Sequence, residues 1–319
     1  MKGLLPFGMA ALGAVALLSG CAAPGPTVDA TEGSRAILME CGQLNVALAF
    51  EGDELLLDAA GERYRMARVS AAAGSKYQLA DDPATSLWRT GNRATLTLGG
   101  NSLPECRVVG ALVEPFVAGG NEPFWQLRAE DGGLRLTRPG YETLTLAPYK
   151  IVATSASGST VVAETEAGRL QLEVARQVCK DTMTGMNFPF QVRLTLDDTG
   201  MAGCGGDPVR LLQGVEWVVE AIGGAGIIDS SRVTLNFLPE GRVAGRATCN
   251  QFMGTYAVGG EGLVIEQPAT TLMACAPALM HQERRFLELL TRVSGFDIDP
   301  QGALQLYTDD GTALRAVMH

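Results

Sequence analysis

The chain has 319 residues, of which 46% are hydrophobic and 19% are charged. Its formal net charge of -10 argues against a nucleic-acid partner, because phosphate backbones are bound by basic patches. The same charge disfavours binding to anionic lipid through the protein surface, and it favours a basic partner or simply solubility.

The first residues have the layout of a secretory signal. Lys2 is followed by an apolar run over residues 12–18, and small residues then lead to Cys21. The run is too short to span a bilayer as a mature helix. Leu18-Ser19-Gly20-Cys21 resembles the lipobox of bacterial lipoprotein signal peptides, which implies removal of residues 1–20 and attachment of lipid to Cys21. The alternative interpretation is an ordinary secretory signal with a chance cysteine.

Lipid attachment would place the protein in the cell envelope. Residues 21–34 are rich in Pro, Gly, Thr and Ala, and we expect them to form a flexible tether after the lipidated Cys21. Ala22 is not the aspartate usually linked with inner-membrane retention. The expected location is therefore the outer membrane, with the chain anchored by its lipid and facing the periplasm, where disulfides are stable.

The other cysteines fall into three neighbouring pairs, namely Cys41 with Cys106, Cys179 with Cys204, and Cys249 with Cys275. Sequence alone does not fix their connectivity, although pairing of neighbours keeps each bridge within one candidate domain. None of these cysteines lies in a CxxC or Cys/His cluster, which argues against zinc. No other metal or cofactor site is indicated.

Residues 35–107 show the alternation of a β domain. Apolar residues alternate with small or polar ones in two stretches, each followed by a turn: Leu44, Val46, Leu48 and Phe50 before Glu51-Gly52-Asp53, and Ala94, Leu96 and Leu98 before Gly99-Gly100-Asn101. This region has no helical period.

The same region contains a set of spaced residues that are typical of a known family: Cys41, Gly74, Tyr77, Trp88, Gly91, Ala94-Thr95-Leu96 and Cys106. In these residues it resembles the membrane-bound inhibitors of C-type lysozyme. This resemblance implies a small antiparallel β-barrel closed by a Cys41–Cys106 disulfide, with a basic C-type lysozyme as partner. It also implies lysozyme-facing loops that contain Ala73, Gly74, Ser75, Tyr77, Arg89 and Thr90.

Two of these positions depart from the family pattern. In the family, a serine before the first glycine and a lysine before the second glycine enter the active cleft of lysozyme. This chain has Ala73 and Thr90 at those positions, whereas the scaffold residues are kept. The sequence therefore supports the barrel better than it supports inhibition.

Residues 108–207 are predicted to form a second β domain, in which Leu134-Arg135-Leu136 alternates. Its marker, residues 121–125 (Asn-Glu-Pro-Phe-Trp), resembles an uncharacterised family of envelope proteins, together with residues 179–183 and Gly203-Cys204. One interpretation makes Glu122 and Trp125 a ligand-binding pair, because an aromatic face can stack on a sugar ring. The favoured interpretation is a proline turn followed by two buried aromatic side chains.

Residues 208–319 predict a third β domain with one helix. Val233, Leu235 and Phe237 alternate before a turn at 239–241, and Asp309-Asp310-Gly311 is a hairpin signal. Pro277 suits the first turn of a helix. Apolar residues then recur with helical spacing at Leu279, Phe286, Leu290 and Val293. We predict that the helix ends at Ser294-Gly295.

This third region also contains a recognisable set of residues: Trp217, Cys249-Asn250-Gln251-Phe252, Gly254, Tyr256, Thr271, Met273, Cys275, Glu283 and Phe286. In these residues it resembles the META domain of the heat-shock HslJ family. The resemblance implies an association with envelope stress and no established catalysis. Asn250 is either a binding residue or, as we favour, a residue whose amide satisfies backbone groups beside Cys249.

No catalytic arrangement is evident in the sequence. His281 and His319 are the only histidines, and neither has a nucleophile motif nearby. We predict a non-catalytic, mainly β lipoprotein of three small antiparallel domains, which acts in envelope protection or stress response and includes a degenerate lysozyme inhibitor. The alternatives are a scaffold without a dedicated ligand and a cell-wall-acting hydrolase. The sequence does not indicate the oligomeric state.

Overall fold

The computed structural model describes residues 36–319, except residues 167 and 230 and the side chain of residue 267. In this part of the chain, three large antiparallel sheets, a short two-stranded sheet and one α-helix are formed. The prediction of a mainly β protein with three β domains is confirmed. The domain limits 35–107, 108–207 and 208–319 stay a prediction. The strands of the three large sheets lie within residues 37–108, 116–205 and 217–318, which we call the N-terminal, middle and C-terminal modules.

The sheet of the N-terminal module closes on itself as a barrel. Its strands are β1 (Ile37–Cys41), β2 (Leu44–Glu51), β3 (Glu54–Ala59), β4 (Glu62–Val69), β5 (Ser75–Gln78), β6 (Ser86–Thr90), β7 (Arg93–Leu98), β8 (Asn101–Ser102) and β9 (Cys106–Val108). Strands β1 to β6 pair in sequence order, β1 also pairs with β9, and β7 joins β9 to β6. Strand β8 lies beside β7.

Alternation explains the core of this barrel. Val46 and Leu48 of β2 pack with Leu55 and Leu57 of β3, and all four side chains are almost fully buried. Burial of one such side chain stabilises the fold by about 1.5–3 kcal/mol. The predicted turn between these strands is confirmed, since residues 51 and 54 pair across it.

The middle module contains a barrel-like sheet of nine strands. They are β10 (Phe116–Asn121), β11 (Phe124–Glu130), β12 (Gly133–Thr137), β13 (Leu144–Leu146), β14 (Tyr149–Ser155), β15 (Gly158–Thr165), β16 (Gly168–Ala175), β19 (Phe190–Leu196) and β20 (Thr199–Gly205). Their order is β13-β12-β11-β10-β20-β19-β16-β15-β14. A separate short hairpin consists of β17 (Cys179–Lys180) and β18 (Asn187–Phe188).

The C-terminal module combines a curved sheet with the helix α1 (Pro277–Leu290). Its strands are β21 (Trp217–Ile222), β22 (Ala225–Gly226), β23 (Thr234–Leu238), β24 (Arg242–Arg246), β25 (Gln251–Gly259), β26 (Gly262–Thr270), β27 (Val293–Ile298), β28 (Leu304–Thr308) and β29 (Ala313–Met318). The order is β26-β25-β24-β23-β21-β29-β28-β27, and β22 pairs with β21. The predicted hairpin around Gly311 is confirmed by the pairing of β28 with β29.

Helix α1 begins at Pro277, as predicted, and packs Phe286 and Leu290 into the core of the sheet. The predicted end at Ser294-Gly295 is wrong, because the helix ends at Leu290 and residues 293–298 form β27. A Cβ atom at Gly295 would overlap the Tyr307 ring. This glycine therefore allows an aromatic side chain to cross a strand, and it does not stop a helix.

Polar bonds around the buried Arg210 join the N-terminal module to the turn Pro208–Leu211, which leads into the C-terminal module. Arg210 is 7% exposed, and its guanidinium donates to the carbonyl oxygens of Glu105 (2.9 Å) and Glu40 (3.0 Å). The backbone N–H of Gln43 donates to the Gln213 carbonyl oxygen at 2.7 Å. Burial, and after it the nearby Arg107 guanidinium, lowers the pKa of Arg210 to about 10. The side chain is therefore still cationic at neutral pH.

The middle module is attached to both of its neighbours. Arg176 pairs with Glu40 of β1 at 2.8 Å. On the other side, the Asn187 amide donates to the Asp297 carboxylate at 2.9 Å, and Lys180 pairs with the same carboxylate at 2.9 Å. The three modules thus belong to one compact unit.

Arg210→Ala is expected to lower the free energy of unfolding by about 2–4 kcal/mol, because two partly buried carbonyl groups lose a charged donor and a buried side chain is removed. Urea unfolding measures this loss. Arg176→Ala is the matched control, since its ion pair also crosses modules but is partly exposed, and it should cost about 0–1 kcal/mol. Equal losses for the two variants would contradict a special role for the buried guanidinium.

Candidate functional site

The loop between β4 and β5 meets the end of β6 at one end of the N-terminal barrel. Gly74 has a φ of +69°, and a Cβ atom there would overlap the Arg89 carbonyl oxygen and lie 2.8 Å from Thr90 Oγ1. Glycine therefore lets the loop lie directly against β6. The Trp88 indole N–H donates to the Ala73 carbonyl oxygen at 2.7 Å, which fixes the loop to the same strand.

Five of the six predicted lysozyme-facing residues are brought together here: Ala73, Gly74, Ser75, Arg89 and Thr90. We call these five residues the barrel-end surface. Ala73, Gly74 and Thr90 are exposed, whereas Ser75 and Arg89 are partly buried and pair across β5 and β6. Contact between this surface and a lysozyme stays a prediction.

Tyr77 differs from the other five predicted residues. It is only 5% exposed, and its ring centroid lies 5.8 Å from that of Phe50 in the barrel core. The structure therefore corrects its assignment as a partner-facing side chain, because Tyr77 supports β5 from inside the barrel. The physical reason is the two-residue period of a strand, which turns Tyr77 inward and Lys76 outward.

Arg89 is the cation nearest to Thr90 along the chain. Its Nε atom is buried and has no hydrogen-bond partner among the residues that the structure describes. Successive strand residues point to opposite faces, so Arg89 and Thr90 do not share a side of β6. In this structure Arg89 therefore lies on the opposite side of β6 from Thr90.

Sequence reasoning missed a pair of outward-facing residues beside this surface. Trp88 is 46% exposed, and it lies opposite Lys76 in the pairing of β5 with β6. The alternation of Trp88 with the buried Leu87 is the signal that could have found it. Together these residues offer an aromatic face and an ammonium next to the barrel-end surface.

The three predicted disulfides are present: Cys41–Cys106, Cys179–Cys204 and Cys249–Cys275. Each lies within one module, so the pairing of neighbours is confirmed. These sulfurs are not thiolates, and they therefore provide neither a nucleophile nor a metal ligand.

Asn250 lies in a buried polar network and not in an open site. Its side-chain oxygen accepts from the Met273 N–H (2.7 Å) and the Thr271 hydroxyl (2.8 Å), while its amide donates to Glu283 (2.8 Å). The buried Glu283 carboxylate also accepts from the N–H groups of Cys249 and Asn250. The amide satisfies backbone groups, as favoured, but these groups belong to Met273. The predicted position beside Cys249 is wrong, because Glu283 bonds to the backbone N–H groups there.

The two aromatic residues of the middle motif, Phe124 and Trp125, differ in exposure. Trp125 is 1% exposed, and its indole N–H donates to the Ala202 carbonyl oxygen at 3.2 Å. Phe124 is 50% exposed, so the prediction of two buried aromatics is wrong for this residue. Adjacent strand residues face opposite sides of the sheet, and only one of the pair can enter the core. The alternative pairing of Glu122 with Trp125 as a ligand site is also wrong, because the Trp125 ring is buried.

Cys21, the predicted signal peptide 1–20 and the tether 21–34 lie outside the described residues. Among the helices that the structure describes, none is long and apolar enough to cross a membrane. His281 is exposed on α1, and the described ranges contain no cluster of three or more His, Cys, Asp or Glu that could hold a metal ion.

Fold and site together define a protein of three joined β modules, each with its own disulfide. Comparisons with known proteins match two of these three modules. Residues 40–104 match the family described as "Membrane-bound lysozyme-inhibitor of c-type lysozyme", and residues 210–319 match the family described as "META domain". The two predicted resemblances are confirmed, and the middle module is matched by neither family. Its resemblance to an uncharacterised envelope family stays a prediction.

The chain was also compared with curated proteins and with solved structures. A search of curated proteins finds no match to the chain. A solved structure described as "NMR structure of the protein from Burkholderia xenovorans" is 23% identical with a TM-score of 0.31, and the match covers 35% of this chain and 86% of that chain. The N-terminal match suggests a lysozyme-inhibitor-like envelope protein, the META domain is associated with stress response, and neither is a known catalytic family.

Proposed function

We propose that this protein is a non-catalytic outer-membrane lipoprotein that faces the periplasm and binds C-type lysozyme through its N-terminal module without blocking the active cleft. The observation that carries the proposal is the barrel-end surface. Its exposed residues belong to the loops by which the matched family is expected to meet lysozyme. Thr90 and Ala73 there lack the charge and the hydroxyl that would enter the cleft.

Charge supports attraction without inhibition. The net charge of -10 draws a basic lysozyme toward the protein. Attraction of this kind acts over distances comparable to the Debye length, which is about 30 Å at 0.01 M salt and about 10 Å at 0.1 M. The complex should therefore be sensitive to salt, and lysozyme should remain active in it.

Binding of the purified protein to C-type lysozyme, measured at low and at physiological salt, tests the proposal. We expect measurable affinity at low salt that falls as salt rises. Ala73→Trp should abolish it by covering the barrel-end surface. Ala84→Trp is the matched control, because Ala84 is also exposed but lies in the loop at the opposite ends of β5 and β6. Absence of binding at low salt, or equal binding by both variants, would favour the scaffold alternative.

Lipid anchoring at Cys21 gives a separate prediction. Cys21→Ala should remove the attachment site, because diacylglycerol is joined to the thiol in the lipoproteins that this signal resembles. The variant should leave the outer-membrane fraction, which fractionation and mass spectrometry of the N-terminus can measure. Unchanged membrane partition, with no lipid mass on the wild-type protein, would rule out the anchor.

A further inference from the structure

A cleft lies in the middle module between the outer face of β10 and β11 and the hairpin β17–β18. Its volume is about 260 Å³, and its lining includes Asn121, Phe124, Gln126 and Asp181. In the pairing of β10 with β11, Gly119 lies opposite Gln126, and Asn121 lies opposite Phe124. Because Gly119 has no side chain, the floor of the cleft stays open beside the phenylalanine ring.

The wall formed by the hairpin is held from two directions. The Cys179–Cys204 disulfide ties β17 to β20, where Cys204 pairs with Gly119 on the cleft floor. The hairpin is also held by the C-terminal module, since the buried Asn187 donates to Asp297 at 2.9 Å. The cleft is therefore formed before any ligand arrives, which lowers the entropic cost of binding.

Phe124 provides an aromatic surface at this cleft. Half of the side chain is exposed, although the next residue, Trp125, is fully packed. A single exposed apolar residue is common on protein surfaces and needs no explanation by itself. Here the ring lies in a formed cleft beside amide groups, and a ring face accepts stacking by the C–H groups of a ligand.

The polar side chains of the cleft retain unused hydrogen-bonding capacity. Asn121 Nδ2 donates to Asp181 (2.8 Å) and to Thr182 Oγ1 (3.3 Å), which fixes the amide and leaves its Oδ1 as an acceptor. Gln126 lines the same cleft and is exposed, so its side-chain amide is accessible to a ligand. A small number of oriented polar groups in a partly apolar cleft is typical of ligand sites.

Asp181 adds a fixed negative charge. Desolvation would raise the pKa of this carboxyl group, but hydrogen bonds from Thr184, Asn121 and Met183 outweigh it and lower the pKa below its ordinary value. The carboxylate is therefore ionised at neutral pH. It repels anionic ligands and accepts hydrogen bonds from neutral ones.

We infer that this cleft binds one neutral pyranose ring of a glycan. A pyranose has a C–H face that can stack on Phe124, and its hydroxyl groups can bond to Asn121 Oδ1 and to the Gln126 amide. The cleft has room for a single ring, and Asp181 disfavours uronic acids. This site is separate from the barrel-end surface and does not depend on the proposed contact with lysozyme.

Isothermal titration of the purified protein with three trisaccharides tests the inference. The probes are triacetylchitotriose and cellotriose, which are neutral, and trigalacturonate, which is anionic. We expect at least one neutral probe to bind and the anionic probe to give no signal. Binding of triacetylchitotriose alone would assign the site to N-acetylated glycans, and binding of both neutral probes would support a broader class. Absence of binding by both neutral probes, or equal binding of trigalacturonate, would overturn the inference.

Variants locate the binding. Phe124→Ala should weaken it at least about tenfold, a change of about 1.4 kcal/mol. Phe124→Tyr, which keeps the ring, should preserve the affinity. Tyr141→Ala is the matched control, because Tyr141 is an exposed aromatic residue of the same module outside the cleft, at 67% exposure. With the thermal unfolding of all variants unchanged, equal affinity of Phe124→Ala and the wild type would contradict this site.

Discussion

Phe286→Ala is expected to lower the free energy of unfolding by about 3–5 kcal/mol, the usual cost of emptying a buried aromatic site. The side chain is fully buried on α1, and its ring meets that of Phe252 at 5.5 Å between centroids with an interplanar angle of 69°. The variant would lose both the burial and this edge-to-face contact, and it would leave a cavity between helix and sheet. Urea or thermal unfolding of the purified protein measures the loss.

The control for this prediction lies on the exposed side of the same helix. His281→Ala should change stability by less than about 0.5 kcal/mol, because surface substitutions away from special contacts have small effects. A loss below about 1 kcal/mol for Phe286→Ala would mean that the helix is peripheral to the module. The position of Phe286 in the largest core cluster argues against that outcome.

The parts of the fold that depend on local chemistry could be predicted from the sequence. The turn before Leu55 and the hairpin at Gly311 follow from turn residues between alternating stretches. The helix start could also be predicted, because the fixed φ of Pro277 suits the first turn of a helix. The helix end was missed because Gly295 serves a contact with Tyr307, which a local pattern does not show.

Other features depend on residues far apart in the sequence. Arg210 donates to carbonyl groups 105 and 170 residues away in the sequence. The residues near Arg210 in the chain therefore do not predict that its guanidinium is buried. Phe124 was expected inside because it is aromatic, yet strand parity gives the core position to Trp125. Its cleft exists only because a hairpin some 55 residues later lies over the same face, and sequence reading had no means to place it.

For the barrel-end surface, the resemblance identified the right loops but not their contacts. The alternation of inward and outward residues along β5 would have placed Tyr77 inside the barrel, so its burial could have been predicted from the sequence. The contact of Gly74 with Thr90 could not be read in this way, because it depends on how one loop lies against another strand. That contact now puts both departures from the family, Ala73 and Thr90, at the same end of the barrel.

Ala73→Ser combined with Thr90→Lys is expected to improve lysozyme inhibition by about 10²- to 10³-fold, which corresponds to about 3–4 kcal/mol. The active cleft of lysozyme carries two carboxylates that cleave glycosidic bonds. A lysine ammonium can form a charge-assisted hydrogen bond there, typically worth about 1.5–3 kcal/mol, and a serine hydroxyl can add a neutral one. Both positions are exposed, so the new side chains fit without repacking the barrel. Inhibition of lysozyme turnover by the wild type and the double variant measures the gain.

The sign of the introduced charge provides the control. Ala73→Ser combined with Thr90→Glu keeps the hydroxyl but puts an anion against the lysozyme carboxylates, and it should inhibit no better than the wild type. The alternative to this prediction is that Arg89 takes the role of the missing lysine, because it already carries a positive charge one residue from Thr90. Its pairing with Ser75 and its buried Nε hold it away from the exposed face of Thr90. Strong inhibition by the wild type that Arg89→Ala abolishes would show that Arg89 leaves this position on binding and does the work of the missing lysine.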